Sequence, residues 1–165
     1  MKIRNTIDKL LGTLVTLLMG VLVLNVLWQV ASRFIIGQPS SFTDELAGYL
    51  LIWVGLLGAA YATGKKQHLA IDLISKKMSA KHKKYHETLI NSLIILFALV
   101  VLMIGGSNLV FITFYLNQIS SALQLPIGYV YLVLPLSGLF ICYYAVSDIF
   151  ITWKTEPDTN PMHNL

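Results

Sequence analysis

The chain has 165 residues, of which 56% are hydrophobic and only 12% charged. A soluble domain carries about 25% charged residues, so the composition excludes an ordinary water-soluble enzyme, and a mean hydropathy of +0.69 makes lipid the expected solvent. A pI near 9.2 would suit a nucleic-acid binder, but the placement of the cations along the chain argues against one, and the single cysteine, Cys142, allows no intrachain disulfide.

Taken in order, the sequence predicts an all-α integral membrane protein with four transmembrane helices in one domain over 1–165. Residues 1–9 are polar, with Lys2, Arg4, Asp8 and Lys9. The apolar run Leu10–Val30 is 21 residues long. That exceeds a signal-peptide core of about 7–15 residues and matches the roughly 20 residues that cross a bilayer, so it is expected to stay as the first span, 10–36. Gly37, Pro39, Ser40 and Ser41 then break the helix. Thr43 is the expected N-cap of the second span, 44–63, with Asp44 and Glu45 favouring the positive end of the helix dipole. Gly48, Gly55 and Gly58, followed by Ala59 and Ala60, are small enough for close helix approach. The stretch 64–87 is charged and carries Leu69, Ile71, Leu73, Ile74 and Met78. It reads equally as a short amphipathic helix on the membrane surface and as a polar loop. The third span, 88–116, is longer than the hydrocarbon needs and predicts tilt or protrusion. In the fourth, 126–151, Pro126 suits the first turn, and Pro135 should kink the helix or leave a freed carbonyl to a neighbour.

Of the 12 basic residues, all but Arg33 fall on one side of this topology. Positive residues gather in cytoplasmic segments, which predicts cytoplasmic termini and a cytoplasmic 64–87 loop. It also accounts for the pI, because the cations face anionic lipid headgroups.

Transport, proton relay and haem ligation need ionisable groups at membrane depth, and the span centres lack acids, bases and histidines. Asn25, Gln29 and Asn108 are the deepest strongly polar groups and are expected to bond across helix interfaces. His82 and His86 have i,i+4 metal-ligand spacing without a third ligand nearby and read as solvated. Arg33, Asp44 and Glu45 lie across the first short turn, where Arg33 is expected to pair with Glu45 or Asp44 and pin two helices together, or to face a partner. His68 and Asp72, also i,i+4, fit a helix-terminal hydrogen bond. No catalytic, cofactor or metal site is expected.

The run from Arg33 through Phe42-Thr43-Asp44-Glu45, Trp53 and Gly58 to His68 and Asp72 resembles the small membrane subunit of tripartite ATP-independent periplasmic (TRAP) transporters. Leu123-Gln124-Leu125-Pro126-Ile127-Gly128 with Tyr131 and Pro135 resembles the last span of that family. The similarity covers about residues 25–145. It departs at Phe42, where the family often has Trp, and at Gly48, where a larger residue is common. The resemblance implies a scaffold that clasps a large membrane subunit in a stable heterodimer. That large subunit imports a carboxylate, of the sialic acid or C4-dicarboxylate class, with a sodium gradient. A soluble periplasmic protein delivers the substrate and touches the complex transiently. Sodium would be bound in the large partner, with no cofactor in this subunit. The alternatives are a self-sufficient small oligomeric transporter and a membrane enzyme acting on lipid headgroups through His68 and Asp72.

Overall fold

The computed structural model describes residues 2–35, 37, 40–65 and 80–154. Among them the secondary structure is helical: α1 (Lys2–Ile35), α2 (Ser41–Gly64), α3 (Ala80–Phe97), a π-helical stretch (Ala98–Gly105), α4 (Gly106–Tyr115), α5 (Gly128–Tyr131) and α6 (Val133–Lys154). Four segments are long and apolar enough to cross a membrane: Arg4–Ile35, Ser41–Gly64, Lys84–Tyr115 and Gly128–Lys154. The four-span, all-α reading therefore holds.

The first helix begins well before the apolar run, because nothing in residues 2–9 opposes helix: no glycine or proline interrupts them. At 1.5 Å per residue, the 32 residues Arg4–Ile35 reach about 48 Å, well beyond a hydrocarbon core of about 30 Å. The charged first turns thus extend out of the lipid. The second helix is capped by Ser40, whose side chain accepts from the Thr43 N–H, so the cap lies three residues earlier than the expected Thr43.

The spans lie in the order one–two–four–three. The first packs on α2, α2 on α6, and α6 on α3 and the π-helical stretch; the first and third spans do not pack on each other. Two apolar clusters run along this raft. One joins Leu11, Leu57, Val133 and Tyr144, and the other joins Ala60, Ala98, Leu102 and Ile141. The second and fourth spans contribute to both, so they form the spine. Close approach between the third and fourth spans depends on Gly106: a Cβ there would lie 2.7 Å from the Leu134 Cβ and 3.3 Å from the Pro135 nitrogen.

The fourth span is interrupted as Pro135 dictates. Its ring cannot share space with the carbonyl four residues back, that of Tyr131, and α5 ends at Tyr131 while α6 restarts at Val133. Pro135 thus occupies the first turn of α6, where a missing N–H costs least. Pro126, in contrast, is not in a first turn. It precedes α5 and pairs with Ile119 in an isolated antiparallel bridge. The bonds Ser120 N–H to Leu125 O (2.9 Å) and Ile127 N–H to Gln118 O (3.0 Å) close the connection between the third and fourth spans into a tight loop.

Candidate functional site

Polar side chains gather at the two ends of the raft. At the end where α2 begins, Glu45 projects from the first turns of α2 toward the loop between the third and fourth spans. Its Oε2 accepts from the N–H groups of Ala122 (2.8 Å) and Leu123 (2.9 Å). Its Oε1 accepts from the Ser121 N–H (3.2 Å) and the Tyr49 hydroxyl (3.1 Å). Three successive main-chain donors aimed at one carboxylate form an anion nest, and charge-assisted bonds of this kind are the stronger ones. The expected pairing with Arg33 does not occur. Arg33 is exposed, lines a cleft with Gln29, Ser41 and Asp44, and makes no ion pair among the described residues. The carboxylate instead accepts from three main-chain donors and the Tyr49 hydroxyl, which occupies both of its oxygens.

Asp44 is held from the other side: the Gln29 side-chain amide donates to its Oδ1 at 2.9 Å. Asn25 donates to the Thr43 carbonyl at 2.7 Å. Both amides therefore stitch α1 to the start of α2. Asn108, by contrast, is exposed on the third span. Deeper in the raft the Trp53 indole N–H donates to the Val130 carbonyl at 3.1 Å, beside the break that Pro135 imposes. Trp53 thus ties α2 to the main chain of the fourth span, one residue before the Tyr131 carbonyl that Pro135 displaces.

The opposite, basic end holds a cluster that the sequence signalled only weakly. The Arg4 guanidinium donates to Asp148 Oδ1 and to the Gly64 carbonyl, each at 2.7 Å, and lies 5.5 Å from the centre of the Tyr144 ring. The Tyr144 hydroxyl donates to Asp8 Oδ1, while Lys65 Nζ is 3.6 Å from Asp8 Oδ2. The cluster joins the first, second and fourth spans. Gly64 is necessary to it, since a Cβ there would sit 2.6 Å from the Tyr144 ring. The only sequence signal was a pair of acids, Asp8 and Asp148, near span ends rich in cations. The Trp153 indole N–H also donates to the Thr88 hydroxyl at 3.1 Å and so pins α6 to α3.

The expected packing glycines of α2 point elsewhere. A Cβ at Gly48, Gly55 or Gly58 meets nothing within 4 Å. Gly48, Leu51, Gly55 and Ala59 form one exposed face of α2. The close contacts of α2 instead come from Leu57, Ala60 and Gly64. His68, Asp72 and most of the 64–87 segment lie outside the described residues. The continuation from Ala80 is not a separate surface helix, because it runs unbroken into the third span. Among the described residues no three His, Cys, Asp or Glu side chains gather to hold a metal. The arrangement offers firm helix ends and an uncovered small-residue face, which are means of assembly.

Comparison with known proteins places this geometry. Residues 22–155 match the family model of the DctQ component of tripartite ATP-independent periplasmic transporters. The sialic acid TRAP transporter permease protein SiaT of Haemophilus influenzae is 33% identical over 95 residues, covering 57% of this chain and 15% of the relative. The sialic acid TRAP transporter small permease protein SiaQ of Vibrio cholerae is 31% identical over 48% of this chain and 44% of its own length. The C4-dicarboxylate TRAP transporter small permease protein DctQ of Rhodobacter capsulatus is 26% identical over 62% of this chain and 44% of its own. The matches span less than half the length of these relatives, which are transporter permeases and not enzymes. With the family model covering most of the chain and four helices suited to a membrane, the chain belongs to the DctQ family of TRAP transporter small permease components.

Proposed function

We propose that this chain is the small scaffold subunit of a TRAP importer, clasping the large membrane subunit that moves the substrate. The carrying observation is the exposed face of α2, where Gly48 and Gly55 have open space instead of a helix neighbour. In a bilayer, bare backbone of this kind is where another helix approaches closely. The SiaT match supports the same reading, because there a stretch like this one is a minor part of a much longer permease chain. The large subunit carries the sodium coupling, and a periplasmic protein delivers the substrate. The substrate is a carboxylate, and sialic acid is favoured over a C4-dicarboxylate by the names of two of the relatives above. The basic end faces the cytoplasm of a bacterial inner membrane and its anionic lipids, which places the Glu45 nest on the periplasmic side.

Pull-down of the tagged chain from native membranes tests this. A much larger membrane protein is expected in equimolar amount, and substrate uptake is expected to fail when this chain is deleted. Uptake by proteoliposomes containing this chain alone would overturn the reading. Gly55→Leu fills the open face, so it should lower partner recovery at least several-fold while the isolated chain keeps its helix content.

A further inference from the structure

At the basic end, a groove of about 550 Å³ runs between the first turns of α1 and the last turns of α2. Its mouth carries Lys9 and Lys65. Lys9 is exposed and makes no ion pair among the described residues. Lys65 is 40% exposed and contacts Asp8 through one oxygen. It also lies 5.5 Å from the centre of the Tyr61 ring, and an ammonium with three donors keeps hydrogen-bonding capacity beside these two contacts. Asp8 is turned inward to Tyr144 and Lys65, which leaves the mouth net positive.

The chemistry changes with depth. Below the cations comes Thr13, and then Thr16, whose hydroxyl is already satisfied by the Gly12 carbonyl at 2.8 Å. The Tyr61 ring walls the groove at the level of Gly12, where a Cβ would be 3.1 Å from it, and Lys65 Nζ lies 5.5 Å from its centre; the groove ends deeper, on Leu17. From Lys9 to Leu17 the helix rises about 12 Å, a little less than one leaflet of a hydrocarbon core about 30 Å thick. Charge at the surface, an aromatic ring and hydroxyls at the depth of ester groups and the apolar Leu17 below form the profile of an amphiphile standing along the membrane normal. A transmembrane helix has no charge to place between two ammonium groups, and a free anion has no use for the apolar wall.

We propose that this groove is a binding site for an anionic glycerophospholipid, whose phosphodiester sits between Lys9 and Lys65 and whose acyl chain follows α1 toward Leu17. The site rests on the chain spanning a membrane and not on the identity of its large partner. The bound lipid staples α1 to α2 beside the Arg4–Asp148 cluster.

The test uses the full chain, with whatever larger subunit accompanies it, delipidated in dodecyl maltoside. Titration with phosphatidylglycerol should raise the thermal midpoint saturably, while phosphatidylcholine and inorganic phosphate should not. Lys9→Glu should raise the half-saturating phosphatidylglycerol concentration roughly tenfold or more, reversal counting both the lost and the added charge. Thr13→Phe, which plugs the groove without altering its charge, should abolish saturation. Lys154→Glu, a cation outside the groove, should leave it unchanged. A photo-crosslinker at Thr13 should label lipid. No response to phosphatidylglycerol, an equal response to phosphatidylcholine, or indifference to both groove variants would overturn the site. Stabilisation by phosphate alone would make it a free-anion site, and crosslinking to the large subunit would make it a protein contact, and either result also overturns it.

Discussion

Glu45 shows how much one carboxylate organises when it meets main chain instead of a cation. With Ser121, Ala122 and Leu123 donating to it, the start of the second span fixes the loop between the third and fourth. Glu45→Gln removes the charge and one acceptor oxygen. Hydrogen exchange at those three amides should then accelerate while amides of the α2 centre are unaffected; Arg33→Ala should change neither. The sequence singled out both residues but paired them wrongly, because placing 33 and 45 at one membrane end cannot show that the amides of residues 121–123 fold onto Glu45. The Arg4–Asp148 bond spans 144 positions and was invisible for the same reason. Its side chains are 19% and 8% exposed, so removing one partner strands a largely buried charge. Arg4→Ala should cost about 3 kcal/mol, measured by unfolding in mixed detergent–SDS micelles, and combining it with Asp148→Leu should recover much of that.

At the scale of elements, the fourth span illustrates a helix broken for assembly. Pro135 ends α5 at Tyr131, Trp53 takes the Val130 carbonyl, and Gly106 admits Leu134 and Pro135 against the third span. Trp53→Phe deletes one neutral interhelical hydrogen bond and should lower stability by about 0.5–1.5 kcal/mol. Gly106→Ala should cost more, about 1–3 kcal/mol, because the atoms it meets include a rigid ring and main chain. Gly48→Ala meets nothing and should be neutral, or stabilising by up to about 1 kcal/mol through helix propensity. The same micelle titration separates the two glycines. If Gly48→Ala destabilised the isolated chain as strongly as Gly106→Ala, the open face of α2 would not be open. Pro135 was legible as a break from its ring chemistry alone. The Trp53 bond to Val130 beside that break was not, since its donor comes from α2.

At the scale of the whole molecule, helices in the order one–two–four–three form a raft with thin packing. No more than 33% of the most apolar window of any span is buried within the chain. Water would not tolerate that exposure, whereas lipid or another membrane subunit covers it without cost to buried polar groups. Both edges, the first and third spans, are therefore free to meet lipid or a neighbour, and the ends are locked by polar clusters. A partner that binds only the folded raft stabilises it by mass action. Co-purification with the large subunit should accordingly raise the thermal midpoint above that of the isolated chain, and an unchanged midpoint would argue that the raft gains nothing from assembly.

The sequence by itself determined the solvent, the number of spans, the break at Pro135 and the family resemblance. Each of these follows from hydropathy, ring sterics or residue identity within a short window. The tertiary structure alone decided the spatial order of the spans, the acceptance of the 121–123 amides by Glu45, the union of Arg4, Asp8, Tyr144 and Asp148, and which glycines pack inward. In a membrane every span is apolar on all sides, so periodicity does not mark an inner face. Contacts between distant residues are then chosen by shape and by the few polar groups that must find partners, and those choices exist only once the helices stand side by side.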